Sequence, residues 1–162
     1  MTDKNDARSL DLRDIPAAAG LLTRLPIPVD AEHAMARAAR ATWAYPLVGL
    51  ILAFLTLGPT HALLWLGLAP SIAALLLLAL LILMTGALHE DGLADCADGF
   101  WGGYTPQRRL EIMKDSHIGT YGVLALGLSL LIRWQALAVL LEQNAYLAIA
   151  AALIASRAAI VV

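Results

Sequence analysis

The sequence has little charge, a single cysteine and few aromatic residues. Of its 162 residues, 15% are charged, 6% are aromatic and 60% are hydrophobic, whereas soluble domains have about 25% charged residues. This composition excludes a disordered chain, a collagen-like chain and a disulfide scaffold. The formal net charge of -2 gives no basic surface for nucleic acid. Because Cys96 is the only cysteine, a cysteine zinc site is also excluded, and oxygen and nitrogen atoms must carry any chemistry.

Charged residues are missing altogether from one long run. From Ala41 to His89 the chain has no Asp, Glu, Lys or Arg, and this run is about twice the ~20 residues that one helix needs to cross a bilayer. The sequence predicts an all-α, polytopic membrane helix bundle that forms one integral-membrane domain over residues 1–162. The expected spans are 44–66, 71–88, 121–141 and 145–162.

The basic residues predict an orientation in the membrane. Six of the eleven Lys and Arg residues precede Ala41, and three more lie between His89 and Thr120. The positive-inside rule therefore places the N-terminus and the 89–120 segment of this multi-pass protein in the cytoplasm. Arg133 and Arg157 fall inside predicted spans, where a charge usually faces the bundle interior. The alternative is that either arginine marks an interfacial boundary.

The most informative run is HEDGLADCADG, from His89 to Gly99, in which four carboxylates fall within nine residues. If this run is helical, Asp91, Asp95 and Asp98 lie at i, i+4 and i+7 and share one face, where they repel one another. Mg²⁺ would relieve this repulsion, since it prefers carboxylate oxygens and completes its shell with water and substrate phosphates. The alternative is a set of solvated acids on a cytoplasmic loop. Small residues between the acids predict close approach of a bulky ligand; they are Gly92, Ala94, Ala97 and Gly99.

A short helix is predicted to follow the acidic run. Thr105 and Pro106 are typical of an N-cap and a first helical position, and Gly119 is expected to end the helix. Its basic residues are candidate partners for phosphate oxygens, because guanidinium geometry suits phosphate; they are Arg108, Arg109 and Lys114. The alternative is a salt-bridged surface helix without a ligand.

The histidines are ambiguous from sequence alone. His89 could be a base, a metal ligand or an interfacial histidine, and His117 is equally open. His61 lies between apolar stretches on the side opposite the acids, which favours a structural role. The sequence contains no phosphate loop, dinucleotide fingerprint or HExxH zinc motif.

Two long motifs in register resemble those of one enzyme family. The run from His89 to Gly99, followed by RLEIMKDSHIGTYG from Arg109 to Gly122, resembles the signature of the cobalamin synthase family, the adenosylcobinamide-GDP ribazoletransferases. The N-terminal segments LTRLPIP, RAAR and YPLVG resemble the opening of that family. The resemblance covers about residues 20 to 160. The acidic motif is more loosely similar to that of CDP-alcohol phosphotransferases.

The resemblance implies a polytopic, Mg²⁺-dependent inner-membrane enzyme of late coenzyme B12 biosynthesis. Such enzymes join adenosylcobinamide-GDP to α-ribazole, or to its 5′-phosphate, and release GMP. Members of the family usually continue beyond the position of Val162, so a partial chain that lacks the C-terminal part is expected. The lipid bilayer is an expected partner, and a homo-oligomer is left open.

The resemblance and the residues together give a hypothesis for the site. Asp91, Asp95 and Asp98 are expected to hold Mg²⁺, with His89 or Asp98 as the group that accepts the proton of the ribose hydroxyl. Four residues are expected to bind substrate: Arg108, Arg109, Lys114 and Asp115. The competing classes are a cation-binding membrane transporter and a non-catalytic scaffold. A transporter predicts acids near the middle of spans and internal repeats, but here the acids cluster at the edge of a span.

Overall fold

The computed structural model describes residues 10–161. Every regular element in this part of the chain is a helix, so the expected all-α fold is confirmed. The eight α-helices are α1 (Asp14–Leu22), α2 (Ala31–Arg37), α3 (Tyr45–Trp65), α4 (Pro70–Thr85), α5 (Leu88–Gly102), α6 (Pro106–Met113), α7 (Thr120–Glu142) and α8 (Tyr146–Ala158). Short 3-10 turns lie at Ala41–Ala44 and Ala159–Val161.

Within the described part of the chain, two helical segments are long and apolar enough to cross a membrane. They are Ala41–Trp65, of 25 residues, and α7, of 23 residues. α4 reaches the required length only together with α5, and the two helices are bent by 87° at the break between them. α8 is apolar but, at 13 residues, is shorter than a span. Residues 10–161 therefore contain two candidate spans, or three if the bent pair counts as one, and the arrangement of four spans stays a prediction.

The break between α4 and α5 comes from two consecutive left-handed residues. Gly86 has φ 63° and Ala87 has φ 56°. The N–H of Ala87 donates to the carbonyl of Ile82 at 3.0 Å, which closes the last turn of α4. Glycine adopts this backbone region readily, whereas an alanine there costs about 1–2 kcal/mol. The chain then enters α5 in a new direction, directly before the acidic run.

The chain divides into two compact units, and the first contains residues up to Leu55 together with those from Leu147. In this unit α3 lies directly against the backbone of α8. A Cβ added to Gly49 would lie 2.6 Å from the carbonyl oxygen of Leu153 and 2.8 Å from the Cα of Ile154. Small residues allow this close approach in membrane helix pairs, which gives the glycine of the YPLVG segment a packing role.

The N-terminal part of the same unit is organised by one buried carboxylate, that of Asp14. It accepts hydrogen bonds from Arg37 Nε and Nη2 at 2.9 Å, from Trp43 Nε1 at 3.0 Å, and it contacts His33 Nε2 at 3.1 Å. The Arg37 guanidinium, followed by Trp43 and His33, holds the pKa of Asp14 well below its ordinary value, against the opposing effect of burial. Asp14 thereby joins α1 to α2 and to the turn at Ala41–Ala44.

The second unit, residues 56–146, holds the acidic run. α7 packs against α4 and α5, and α6 packs against α5. The α4 side chains of this core are buried: Ala73, Ala74, Leu77, Leu78 and Leu81. At the start of α4, the carbonyl of Ser71 accepts a hydrogen bond from Trp134 Nε1 at 2.7 Å. His61 Nδ1 lies 3.3 Å from the hydroxyl of Tyr146, and the structural role expected for this histidine stays a prediction.

Asp14→Asn is expected to lower the free energy of unfolding by about 3–5 kcal/mol, because it removes the buried charge to which the Arg37 guanidinium donates two hydrogen bonds. Thermal unfolding of the protein in detergent measures the effect. The matched control is Asp11→Asn, because the Asp11 carboxylate pairs with the exposed Arg13 and should contribute little to stability.

The pKa of Asp14 is lowered in the folded state. The contribution of Asp14 to stability is therefore complete above the ordinary carboxyl pKa and is lost as the pH falls below it. Equal unfolding temperatures for the two variants would contradict this role.

Candidate functional site

The acidic run forms a helix, which is the condition under which its three aspartates share one face. α5 begins at Leu88 and ends at Gly102, with the Gly103 N–H donating to the carbonyl of Gly99 at 3.1 Å. Glu90 and Asp91 lie in its first turn, where negative charge interacts favourably with the helix dipole. Asp91, Asp95 and Asp98 are therefore one helical turn apart in succession.

These three aspartates have different environments. Asp91 is exposed, Asp95 is half-buried, and Asp98 is buried, with 9% of its surface accessible. In the part of the chain that the structure describes, no group of three or more His, Cys, Asp and Glu side chains could hold a metal ion by itself. The accessible acids are Asp91 and Asp95, and this pair fits Mg²⁺, which commonly binds through one or two carboxylates together with water and phosphate oxygens. The metal role of all three residues stays a prediction.

Asp98 has backbone partners on another helix. Its Oδ2 accepts a hydrogen bond from the Gly119 N–H at 2.7 Å, and its Oδ1 accepts one from the Gly122 N–H at 2.9 Å. Both donors belong to the first turn of α7, whose N-cap residue is Gly119 and has no side chain of its own. The buried carboxylate of α5 thus caps α7 from a position 21 residues earlier in the chain.

The glycines around the acidic helix serve helix packing more than ligand approach. A Cβ on Gly99 would lie 2.8 Å from Met113 Cγ, and one on Gly103 would lie 2.7 Å from Arg109 Cγ. Both positions therefore let α6 pack close to α5. Gly92, beside Asp91, has open space around it. The expectation that small residues make room for a bulky ligand stays a prediction for Gly92, whereas Met113 occupies the space beside Gly99.

Glu90 forms an ion pair with the arginine in the apolar helix α7. Its Oε1 lies 2.6 Å from Arg133 Nη1, and the Glu90 side chain is 11% exposed. Arg133 is near the middle of α7, where an unpaired charge would be costly. The structure therefore favours an arginine that faces a partner over one that marks an interfacial boundary. The second carboxylate oxygen of Glu90 is buried and accepts no hydrogen bond from the described part of the chain.

The start of α6 agrees with the sequence prediction, whereas its end does not. Thr105 caps the helix by accepting a hydrogen bond from the Arg108 N–H at 3.2 Å, and Pro106 is its first residue. The helix ends at Met113, so the expected end at Gly119 is wrong. The physical reason is Asp115, whose Oδ1 accepts the His117 N–H at 3.2 Å and holds the backbone in a turn.

The basic residues of this region differ in how many contacts their side chains make within the protein. Arg109 donates from Nε to the carbonyl of Gly103 at 2.9 Å, and its guanidinium lies 5.3 Å from the centre of the Phe100 ring. Arg108 is exposed and pairs with Glu111 at 3.0 Å. Lys114 is exposed. Arg108 and Lys114 are thus the more accessible of the expected phosphate-binding residues, and the substrate-binding role of each stays a prediction.

Asp115 and His117 form a pair beside an open cavity of about 360 Å³. Asp115 Oδ1 lies 2.7 Å from His117 Nδ1, and both side chains are exposed. Hydrogen bonding between them lowers the pKa of Asp115 and raises the pKa of His117. Asp98, Thr120 and Tyr121 line the same cavity. A protonated His117 would therefore add positive charge close to the C-terminal half of the acidic helix.

Sequence reasoning identified Asp98 and Arg133 but missed the partners that the structure gives them. Arg133 lies inside a predicted apolar span, where a charge requires a partner of opposite sign. This requirement could have directed the search for a partner to Glu90. The capping role of Asp98 had no local signal, because its two donors are backbone N–H groups of glycines that lie 21 and 24 residues later in the chain.

Arg133→Leu is expected to destabilise the protein more than the double variant Glu90→Gln with Arg133→Leu, because the single change leaves a buried carboxylate unpaired. A double-mutant cycle on thermal unfolding in detergent should give a coupling of about 1–3 kcal/mol. Glu142→Gln, at the exposed end of α7, is the matched charge-removal control. Additive effects of the two changes would show that the pair is not formed.

Asp115→Asn is expected to lower the pKa of His117, because it removes the carboxylate that favours the imidazolium form. In the unchanged protein the imidazolium should persist to higher pH than in a free histidine. Nuclear magnetic resonance titration of the histidine ring, with His117→Gln to assign its signal, measures both values. An identical His117 pKa with and without the Asp115 carboxylate would contradict the pairing.

Comparison with known proteins gives one consistent result. The family model described as CobS, cobalamin-5-phosphate synthase, matches residues 14–162. A protein of Bradyrhizobium diazoefficiens named adenosylcobinamide-GDP ribazoletransferase is 52% identical over 132 residues, which are 78% of this chain and 49% of that protein. A protein of the same name from Ralstonia nicotianae is 43% identical over 91% of this chain and 57% of its own length.

The chain thus spans about half the length of the curated relatives it matches. No solved structure matches it. The matched region contains the acidic helix, the Asp115–His117 pair and the glycines of α7 that bind Asp98. On this ground the chain belongs to the CobS family of cobalamin-5-phosphate synthases.

Proposed function

We propose that this chain catalyses the transfer of the adenosylcobinamide phosphoryl group from adenosylcobinamide-GDP to α-ribazole, or to its 5′-phosphate, with release of GMP. The observation that carries the proposal is the pair of accessible carboxylates, Asp91 and Asp95, on a helix that is bent away from an apolar helix. The names of the relatives described above support the substrate. These relatives are all ribazoletransferases, so the transporter alternative has no support.

The chemistry needed is charge neutralisation on a diphosphate. Asp91 and Asp95 are the residues that would hold Mg²⁺. At these carboxylates Mg²⁺ would supply neutralisation of the diphosphate and of the departing GMP. Phosphoryl transfer gives a protein little covalent work, so the contribution of the chain lies mainly in positioning and electrostatics.

Side chains around the acidic helix supply the remaining roles. The ribose hydroxyl of α-ribazole attacks the phosphorus that carries cobinamide, its proton passes to a base, and the bond from that phosphorus to GMP breaks. His89 is the preferred base over Asp98, because both carboxylate oxygens of Asp98 already accept backbone hydrogen bonds. Arg108 and Lys114 are accessible to phosphate oxygens, and Asp115 contributes by orienting His117.

We propose a location for the site from the same features. Apolar helices support a multi-pass membrane protein, and we place it in the inner (plasma) membrane with the N-terminus in the cytoplasm. The 87° bend between α4 and α5 allows the acidic helix to leave the direction of the apolar helix that precedes it. Water-borne substrates would then reach Asp91 and Asp95 from the cytoplasmic side.

The protein in detergent or liposomes is expected to release GMP from adenosylcobinamide-GDP only when α-ribazole and Mg²⁺ are both present. Asp91→Asn and Asp95→Asn should each lower kcat/KM by on the order of 10²-fold or more, as loss of one transition-state contact commonly does. Glu142→Gln is the matched control, because this exposed carboxylate lies at the far end of α7. Chromatography of the released nucleotide gives the rate. Near-normal turnover by both aspartate variants would refute the assignment, and GMP release without ribazole would indicate a hydrolase.

A further inference from the structure

We propose that Asp98 is a positioning residue, whose carboxylate holds the first turn of α7, and with it the loop of Asp115 and His117, against the acidic helix. This inference rests on the proposed function, since it divides the acids of α5 between two tasks. Asp91 is exposed and Asp95 is half-buried, so both remain available to a cation. Asp98 is buried, and its bonds are made to the protein itself.

The hydrogen bonds use both carboxylate oxygens. Gly119 N–H donates to Oδ2 and Gly122 N–H donates to Oδ1, at 2.7 and 2.9 Å. These donors are among the first N–H groups of α7, which have no partner within their own helix. A negative charge at this position also interacts favourably with the helix dipole. Asp98 therefore supplies to α7 the cap that Gly119 cannot supply.

Close approach, and not backbone conformation, requires the two glycines. Gly119 has φ -90°, which any residue adopts. A Cβ on Gly119 would lie 2.8 Å from Asp98 Cγ, and a Cβ on Gly122 would lie 3.1 Å from the same atom. A larger residue at either position would displace the carboxylate. Asp98, Gly119 and Gly122 thus form one unit, which we call the α7 cap.

The α7 cap connects the two parts of the candidate site. Asp98 lines the cavity that Asp115 and His117 also line, and the loop that carries this pair leads directly into Gly119. If the cap is lost, the first turn of α7 loses its bonds to α5, and the Asp115–His117 pair is no longer fixed relative to Asp91 and Asp95. The expected consequence is slower turnover with an unchanged cation requirement.

The experiment compares four variants: Asp98→Asn, Gly122→Ala, Gly127→Ala and Asp91→Asn. Gly127→Ala is the matched control for Gly122→Ala, because Gly127 lies in the same helix with open space around it. Backbone hydrogen exchange of residues 116–124 reports on the cap. Mn²⁺ binding in the presence of GDP, measured by electron paramagnetic resonance, reports on the cation site without requiring turnover.

Asp98→Asn and Gly122→Ala should both speed exchange of the Gly119–Gly122 amides by at least about tenfold, since each weakens hydrogen bonds to a charged acceptor. Both should lower kcat while the affinity for Mn²⁺ stays unchanged. Gly127→Ala should change none of these quantities. Asp91→Asn should weaken Mn²⁺ binding by roughly 10-fold or more and leave the exchange unchanged. If Asp98→Asn does not fold, Gly122→Ala decides the question.

Weaker Mn²⁺ binding by Asp98→Asn or Gly122→Ala, with unchanged exchange, would overturn the proposal and make Asp98 a cation ligand. Faster exchange with unchanged kcat would also overturn it, because the cap would then be structural only. Failure of the proposed function gives a different result. In that case Asp91→Asn leaves Mn²⁺ binding unchanged, while the exchange data still show whether Asp98 caps α7.

Discussion

A carboxylate beside apolar helices is stable only if it is paired, hydrogen-bonded or in contact with water. This constraint sorts the four acids of α5. Glu90 pairs with Arg133 of α7, and Asp98 accepts two backbone hydrogen bonds from the same helix. Asp91 is exposed and Asp95 is half-buried. Glu90 and Asp98 attach α5 to α7, and the more accessible Asp91 and Asp95 are the acids for which we propose the cation role.

The backbone around α5 is arranged to make this attachment possible. Left-handed residues at Gly86 and Ala87 turn the chain out of α4, so that α5 follows a new direction. Glycines at the contacts with α6 and α7 then remove the side chains that would keep the helices apart. The break after α4 and the close helix contacts at these glycines therefore place the acidic helix beside apolar helices. The carboxylates of Glu90 and Asp98 still have partners there.

The features that local patterns encode could be predicted from the sequence. Apolar runs predicted α3, α4 and α7 to within a few residues, and Thr105 with Pro106 predicted the start of α6. The sequence also indicated that Asp91, Asp95 and Asp98 would share one face of a helix. The end of α6 was not, because Asp115 bonds the backbone of His117 and stops the helix before Gly119.

Long-range partners could not be predicted, since nothing local specifies them. Asp14 attracts no notice in the sequence, yet it joins three segments of the N-terminal unit. Gly99 reads as room for a ligand but is covered by Met113. The sequence pattern predicts Asp98 as a third, equivalent acid of a metal site. Only the fold shows that its carboxylate oxygens face α7. In each case the decisive contact is made by a residue that lies far away in the chain or in another helix.

The most direct test of the account uses Cys96, the only cysteine of the chain, which is exposed on α5 next to Asp95. A nitroxide attached to Cys96 reports the proximity of a paramagnetic cation. The account predicts that Mn²⁺ with GDP enhances the relaxation of this nitroxide strongly, and that Asp95→Asn abolishes the enhancement. A nitroxide signal that Mn²⁺ and GDP leave unchanged would show that the acidic helix does not hold the cation.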